Sequence, residues 1–243
     1  MTVATFYIHP DRISGSNAVL EGGELGHARL TLRLSSGDRV QILDGTGVVY
    51  QGVFLSMSPN EGVLELVSKE NEPLPKLDLT LAMGMVRGER FEWAIQKGCE
   101  LGVSSFIPIV TERVEDKTSG KWKRRDRLER VIISACKQCE RARFPTLQEP
   151  HHLKDLDPHQ YDAAVAFWEE ETGTSIREVL DPSRTIQSCL LLIGPVGGFT
   201  EEEVRLLMKR GFSLAGLGPR VLRTETAALA ATAIIQHMYG DMG

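Results

Sequence analysis

The sequence predicts an α/β protein in two parts, a small N-terminal β-barrel followed by a larger domain built on a parallel sheet. Three observations carry that prediction. Roughly the first 70 residues read as short strands divided by turn signals. Asn71-Glu-Pro-Leu-Pro-Lys76 then places two prolines close together, the composition of a stiff interdomain linker. Beyond it, short apolar runs alternate with amphipathic helical patterns, as expected when helices cover both faces of a parallel sheet. The predicted domains are residues 1–72 and 73–243.

In the first part, strands are predicted at Thr5–Ile8, Arg39–Leu43, Val48–Ser56 and Gly62–Val67. Asp44-Gly45 and Pro59-Asn-Glu-Gly62 supply the turns, and one helix is expected from Glu24 to about Leu34. In the second part, strands fit Leu77–Met83, Ser105–Val110, Ala163–Phe167, Cys189–Ile193 and Leu214–Leu217. Helices fit Glu89–Leu101, Trp122–Glu140, Ser175–Leu180, Glu201–Arg210 and Thr226–Tyr239.

Composition narrows the function classes. The chain has 243 residues, 42% of them hydrophobic and 25% charged, enough for one large core or two modest ones. The start, MTVATFYIHPDRISGS, has neither the basic-then-apolar pattern of a signal peptide nor that of a transit peptide. Apolar runs such as Cys189–Ile193 fall far short of the roughly 20 residues that span a bilayer. A soluble, cytoplasmic protein without membrane partners is expected. Cys136-Lys-Gln-Cys139 has no second pair at zinc spacing and is predicted mid-helix, so neither a metal site nor a redox pair is expected among the four cysteines.

The net charge of -5 argues against bulk electrostatic coating of nucleic acid, but the charge is unevenly spread. Lys117–Arg143 holds ten basic and three acidic residues, so this window is +7 and the remainder -12. Such a stretch is either a solvated helix face or a phosphate-binding surface on an acidic body.

Two loops stand where ligands of open parallel sheets bind, beyond the carboxyl ends of strands. In LLIGPVGGFTEEEV (191–204), glycines permit positive φ and close backbone approach, and Thr200 with Glu203 fits a capping box. Three glutamates and no lysine open the helix, and neither phosphate-loop motif is present. The loop is therefore a tight turn, or it meets a ligand that has a positive centre and an adenine but no phosphates. Gly216-Leu-Gly-Pro-Arg-Val-Leu-Arg-Thr-Glu-Thr-Ala-Ala228 repeats the Gly-Pro turn and enters an alanine-rich helix, which Thr224 or Thr226 is expected to cap. The alanines favour close helix packing, within the chain or across a subunit interface.

GPVGGFTEEE followed by LGPRVLRTETA resembles the C-terminal signature of the SPOUT superfamily, and within it the RsmE family of 16S rRNA (uracil-N3)-methyltransferases. The resemblance covers nearly the whole chain: His27 to Arg33 with Gly37-Asp38, Lys97-Gly-Cys-Glu-Leu-Gly-Val103, Thr111-Glu-Arg113, and Gln138 with Arg141 fall in family order. The chain departs from the pattern at Val196, where the family commonly has Glu, and at Cys139-Glu140, where it has Ser-Gly.

The resemblance implies a PUA-like, RNA-binding β-barrel for residues 1–72 and a trefoil-knotted α/β methyltransferase domain for 73–243. It implies S-adenosylmethionine held by Leu192, Gly194, Pro195, Gly197, Gly198, Leu217, Gly218, Leu222, Arg223 and Thr224, with Phe167 or Trp168 bordering the site or lying in the core. Arg223 would stabilise charge on the uracil, and Glu225 would act as base or simply favour the helix start. Lys123, Arg124, Arg125, Arg141 and Arg33 would contact RNA, with Trp122 either stacked on a base or buried. The implied partners are 16S rRNA in the small ribosomal subunit and a second copy of the chain. Two alternatives are a non-catalytic RNA-binding assembly factor of the same fold and a SPOUT methyltransferase acting on another nucleotide.

Overall fold

The computed structural model describes residues 3–86, 89–113, 125–181 and 183–243. They form two compact units, Met1–Leu74 with Ile133–Phe144, and Pro75–Ile132 with Pro145–Gly243.

The first unit contains β1 (Ala4–Tyr7), β2 (Ile13–Ser14), β3 (Asn17–Leu20), helix α1 (Gly22–Gly26), β4 (Arg39–Leu43), β5 (Val48–Met57) and β6 (Gly62–Asn71). They make one barrel-like mixed sheet in the order β1-β4-β5-β6-β3-β2. Only the β1–β4 pair is parallel; the other four are antiparallel. β4 alternates as its sequence suggests, with Val40 and Ile42 fully buried beside Phe6, Leu20, Phe54 and Leu64. Register shifts at Gln51/Gly52 and Phe54/Ser56 bend the long β5–β6 ribbon over this core. At the β4–β5 turn, Asp44 accepts bonds from the backbone N–H groups of Thr46 (2.8 Å) and Val48 (3.2 Å), and Gly45 and Gly47 take positive φ.

Three expectations change here. The helix predicted at Glu24–Leu34 is one α-turn followed by a π-helical turn at His27–Thr31, ending before Arg33, whose φ is +55°. Strands β2 and β3 were not predicted, because two- and four-residue segments around Gly15 show too little periodicity to read. Finally, Ile133–Phe144 belongs with this unit although it lies far beyond the linker. Glu72 accepts the N–H groups of Ala142 (3.2 Å) and Arg143 (2.6 Å), Lys137 pairs with Glu24 at 2.5 Å, and the Phe144 and Tyr7 rings lie 5.2 Å apart.

The second unit contains, in chain order, β7 (Asp78–Gly84), α2 (Glu89–Glu100), β8 (Ser105–Val110), the start of α3 (Arg125–Gln138), β9 (Thr146–Leu147), β10 (His151–His152), β11 (Ala163–Phe167), α4 (Ile176–Val179), β12 (Ser188–Ile193), α5 (Glu201–Arg210), β13 (Ser213–Ala215) and α6 (Thr224–Tyr239). Their sheet runs β10-β8-β7-β12-β11-β13, with β9 also on β8, and every pair is parallel. Because all strands run the same way, their carboxyl ends share one edge. β12 is buried from Cys189 to Ile193, as a strand covered on both faces must be. α6 packs on α2, β7 and β12.

Here too some boundaries move. Leu214–Leu217 shortens to β13 because the N–H of Gly216 leaves the ladder to bond the carbonyl of Thr174 at 2.8 Å. α3 stops at Gln138, so Cys139 follows the helix and the Cys-x-x-Cys pair sits at its C-terminal end, not mid-helix. Cys136 is buried, and none of the four cysteines is in a disulfide. α6 begins at Thr224 with Arg223 as its N-cap and no side-chain cap, so neither Thr224 nor Thr226 plays that part. No helix among the described residues is long and apolar enough to cross a membrane.

Candidate functional site

Three chain turns leave the common edge of the parallel sheet and, with the start of α2, enclose a cavity of about 380 Å³, a size typical of small-molecule sites. The first follows β12. Gly194-Pro195-Val196-Gly197-Gly198 closes with the N–H of Gly198 on the carbonyl of Pro195 at 3.0 Å, with φ of +94° at Gly197 and +70° at Gly198. Non-glycine residues rarely adopt these angles. Thr200 and Glu203 form the expected capping box, at 3.2 Å and 2.9 Å, and buried Glu203 also accepts the N–H of Glu112 at 3.0 Å. Arg113 donates to the carbonyl of Gly197. The start of α5 and the glycine turn are thus tied to the chain just beyond β8. At Gly84, the end of β7, a Cβ would lie 2.4 Å from the nitrogen of Pro195, so the two backbones are in direct contact.

The second turn follows β13 and runs through Gly218 to Arg223 at the start of α6, with φ of +92° at Gly218. The third follows β11: the N–H of Trp168 bonds the carbonyl of Ala215 at 3.2 Å, and Phe167, Trp168 and Glu169 face the cavity. A Cβ at Gly216 would lie 1.9 Å from the carbonyl oxygen of Glu171, so the second and third turns also meet backbone to backbone. The fourth contribution is Arg90 from the first turn of α2, 3.9 Å from the carboxylate of Glu225. Glu225 is 8% exposed, and its Oε2 has no hydrogen-bond partner; the buried indole Nε1 of Trp168 is in the same position. Buried polar atoms without partners are costly, so two of them at one cavity mark a surface made to meet a ligand.

Of the cofactor-binding residues expected from the sequence, Gly194, Pro195, Gly197, Gly198, Leu217, Gly218, Leu222, Arg223 and Thr224 all line this cavity. Leu192 does not. It is fully buried in β12 with Phe199 and Val204, and its successor Ile193, which points to the opposite face of the strand, lines the cavity instead. Arg223 and Glu225 both reach it, as do Phe167 and Trp168. Arg90, Glu169 and Arg220 also line it and were not predicted. Arg90 follows β7 at the same sheet edge, so the rule that picked out the glycine loops applies to it equally.

Of the residues expected to bind RNA, Arg125, Arg33 and Arg141 are among the described residues. Lys123, Arg124 and Trp122 lie outside the described residues. Arg125 is engaged by Glu129 at 2.8 Å, by Glu149 and by the carbonyl of Leu147 at 3.2 Å, so a phosphate contact would have to displace carboxylates. Arg33 is exposed and Arg141 half-buried in the first unit. Among the described residues no group of acidic, histidine or cysteine side chains has the arrangement of a metal site.

A family model described as an RNA methyltransferase domain matches residues 72–236. The chain is 30% identical to ribosomal RNA small subunit methyltransferase E of Bacillus subtilis, over 90% of this chain and 89% of that protein. It is 32% identical to the protein of that name from Synechocystis, over 94% and 75%. Among solved structures, a Legionella pneumophila methyltransferase in complex with SAM matches with a TM-score of 0.89 and 29% identity, covering 99% of this chain and all of that one. Neisseria gonorrhoeae ribosomal RNA small subunit methyltransferase E, bound to S-adenosyl methionine, matches with a TM-score of 0.87 and 26% identity over the full length of both chains. Together with the SPOUT-type α/β architecture and its barrel-like N-terminal sheet, these matches place the chain in the ribosomal RNA small subunit methyltransferase E family.

Proposed function

We propose that this chain methylates N3 of one uridine in 16S rRNA, with S-adenosylmethionine as methyl donor and the assembled small ribosomal subunit as substrate. The observation that carries the reading is the cavity itself, where glycine turns and apolar walls meet Arg223 and Glu225 side by side at the start of α6.

The residues present fit the donor. Backbone groups of the Gly194–Gly198 and Leu217–Leu222 turns suit an adenine, and nothing lies within 4 Å of where a Cβ on Gly218 would be, while Ile193, Leu217 and Leu222 supply apolar contact. When bound, the donor supplies an electrophilic methyl group on a sulfonium.

The chain's own task is to prepare the uracil. Its N3–H is a weak acid, so losing the proton builds negative charge on the ring oxygens, which the Arg223 guanidinium stabilises. Glu225 takes the proton, with Arg90 beside one carboxylate oxygen and the other left unpartnered. RNA is held by the 1–72 barrel and by the basic stretch that includes Lys123 and Arg124. Two copies of the chain pair through the 73–243 domain, and the enzyme works in the cytoplasm.

Isothermal titration calorimetry tests the ligand assignment. One S-adenosylmethionine should bind per chain, with no binding of ATP or NAD. Absence of S-adenosylmethionine binding would defeat the proposal, and tight ATP or NAD binding would replace it with a nucleotide-dependent activity.

A further inference from the structure

The charged residues lining the cavity are Arg90, Glu169, Arg220, Arg223 and Glu225. Arg90, Glu225 and Arg223 gather at the start of α6, with Arg90 and Glu225 3.9 Å apart. Glu169, two residues past β11, lies on the glycine turn after β12. A Cβ built on Gly198 would fall 1.6 Å from its Oε1, 2.4 Å from its Cδ and 2.7 Å from its Oε2. The carboxylate therefore occupies the space that any side chain at position 198 would fill. Gly198 takes a φ of +70°, which residues with a side chain rarely adopt, and the carboxylate lies against its Cα.

Glu169 has no ion pair and no side-chain hydrogen bond to any described residue, whereas the cavity's other carboxylate, Glu225, has Arg90. Within the turn, position 196 is an exposed valine, so residues 194–199 bring no negative charge of their own. With no partner among the described residues and no other negative charge on the glycine turn, the Glu169 carboxylate can take a positive group of a ligand in the cavity as its partner.

We propose that Glu169 is a cofactor-binding residue, its carboxylate against Gly198 holding a positive group of the methyl donor. The inference rests on the assignment of S-adenosylmethionine to this cavity. That donor has two cationic groups, the α-ammonium and the sulfonium, and the two can be separated by ligand. S-adenosylhomocysteine keeps the ammonium and lacks the sulfonium charge; 5′-methylthioadenosine lacks both and keeps the adenosine.

The test is calorimetric titration of wild type and Glu169→Gln with all three ligands. Glutamine matches glutamate in shape, and Glu169 is exposed, so the variant should fold, which its thermal unfolding checks. Loss of a charge-assisted contact should weaken S-adenosylmethionine by about 10- to 100-fold while leaving 5′-methylthioadenosine unchanged. If S-adenosylhomocysteine weakens equally, the carboxylate holds the ammonium; if it is unchanged, the carboxylate holds the sulfonium and favours donor over product. Unchanged affinity for S-adenosylmethionine would overturn the inference. So would an equal loss for all three ligands, since the side chain would then only shape the adenosine pocket. Failure of the wild type to bind S-adenosylmethionine would instead defeat the reading on which the inference rests.

Discussion

Replacing Gly84 by alanine should damage the site from outside the cavity. The added Cβ would lie 2.4 Å from the nitrogen and 2.6 Å from the Cα of Pro195, and 2.9 Å from the carbonyl carbon of Gly194. Ordinary contact begins at 3.4 Å, so the end of β7 and the glycine turn must separate by about 1 Å. No flexible side-chain tip is there to yield; both partners are backbone. Overpacking of this kind costs about 2 kcal/mol, which lowers Tm by about 4–8 °C for a protein of this size. Because the part that moves carries Pro195 and Gly194 of the cavity wall, methyl transfer should fall by about 100-fold. Differential scanning calorimetry and a methyl-transfer assay read the two effects. Gly23→Ala is the control, since its Cβ meets nothing within 4 Å and its φ is not positive. Wild-type Tm and turnover in Gly84→Ala would refute the argument that this close approach positions the loop.

Other expectations are more local. Arg223→Ala should lower methyl transfer by about 10²- to 10³-fold with an unchanged unfolding transition, the loss expected when a group stabilising transition-state charge is removed; near-normal turnover would take Arg223 out of the mechanism. Glu225→Gln should cost about 10²- to 10⁴-fold and flatten the acid limb of the pH–rate profile, and an unaltered profile would count against a base at this position. Thr200→Ala removes the capping bond to Glu203 and should destabilise the protein by about 1 kcal/mol in urea unfolding, with no change expected if the cap were idle. Burial, followed by the charge of Asp162, pushes the Cys189 thiol up to about 12. The folded state thus holds this proton more tightly than the unfolded chain does. Stability should be intact below pH 9 and decline as pH rises from there toward 12, less steeply in Cys189→Ala; identical pH dependence in the two proteins would contradict the assignment.

How far the molecule could be read in advance depended on whether a segment's fate was decided locally. Arg39–Leu43, Ser105–Val110 and Ala163–Phe167 occur as strands with the predicted ends, because alternation or an apolar run bounded by turn residues is a signal within the segment. α5 likewise spans the predicted Glu201–Arg210, with Thr200 as its N-cap. β9 and β10 are two residues each and exist only because β8 is there to pair with. The return of Ile133–Phe144 to the first unit depends on Glu72, Glu24 and Tyr7, all remote in sequence.

The site divides the same way. Glycine-rich turns at strand ends announce themselves, and nine of the ten residues expected at the cofactor line the cavity. Leu192 does not, because adjacent strand residues face opposite ways and the motif does not say which of Leu192 and Ile193 looks outward. Glu169 and Arg90 gave no signal of their own. Their place at the cavity comes from sheet order, which sets the ends of β11 and β7 beside that of β12.

The measurement that bears most directly on the central claim is transfer of a labelled methyl group from S-adenosylmethionine to small ribosomal subunits lacking the modification, with naked 16S rRNA in parallel and the product nucleoside identified by mass spectrometry. The account predicts N3-methyluridine, formed on the subunit and abolished in Arg223→Ala. A different methylated nucleoside, or no transfer by protein that binds the donor, would contradict it.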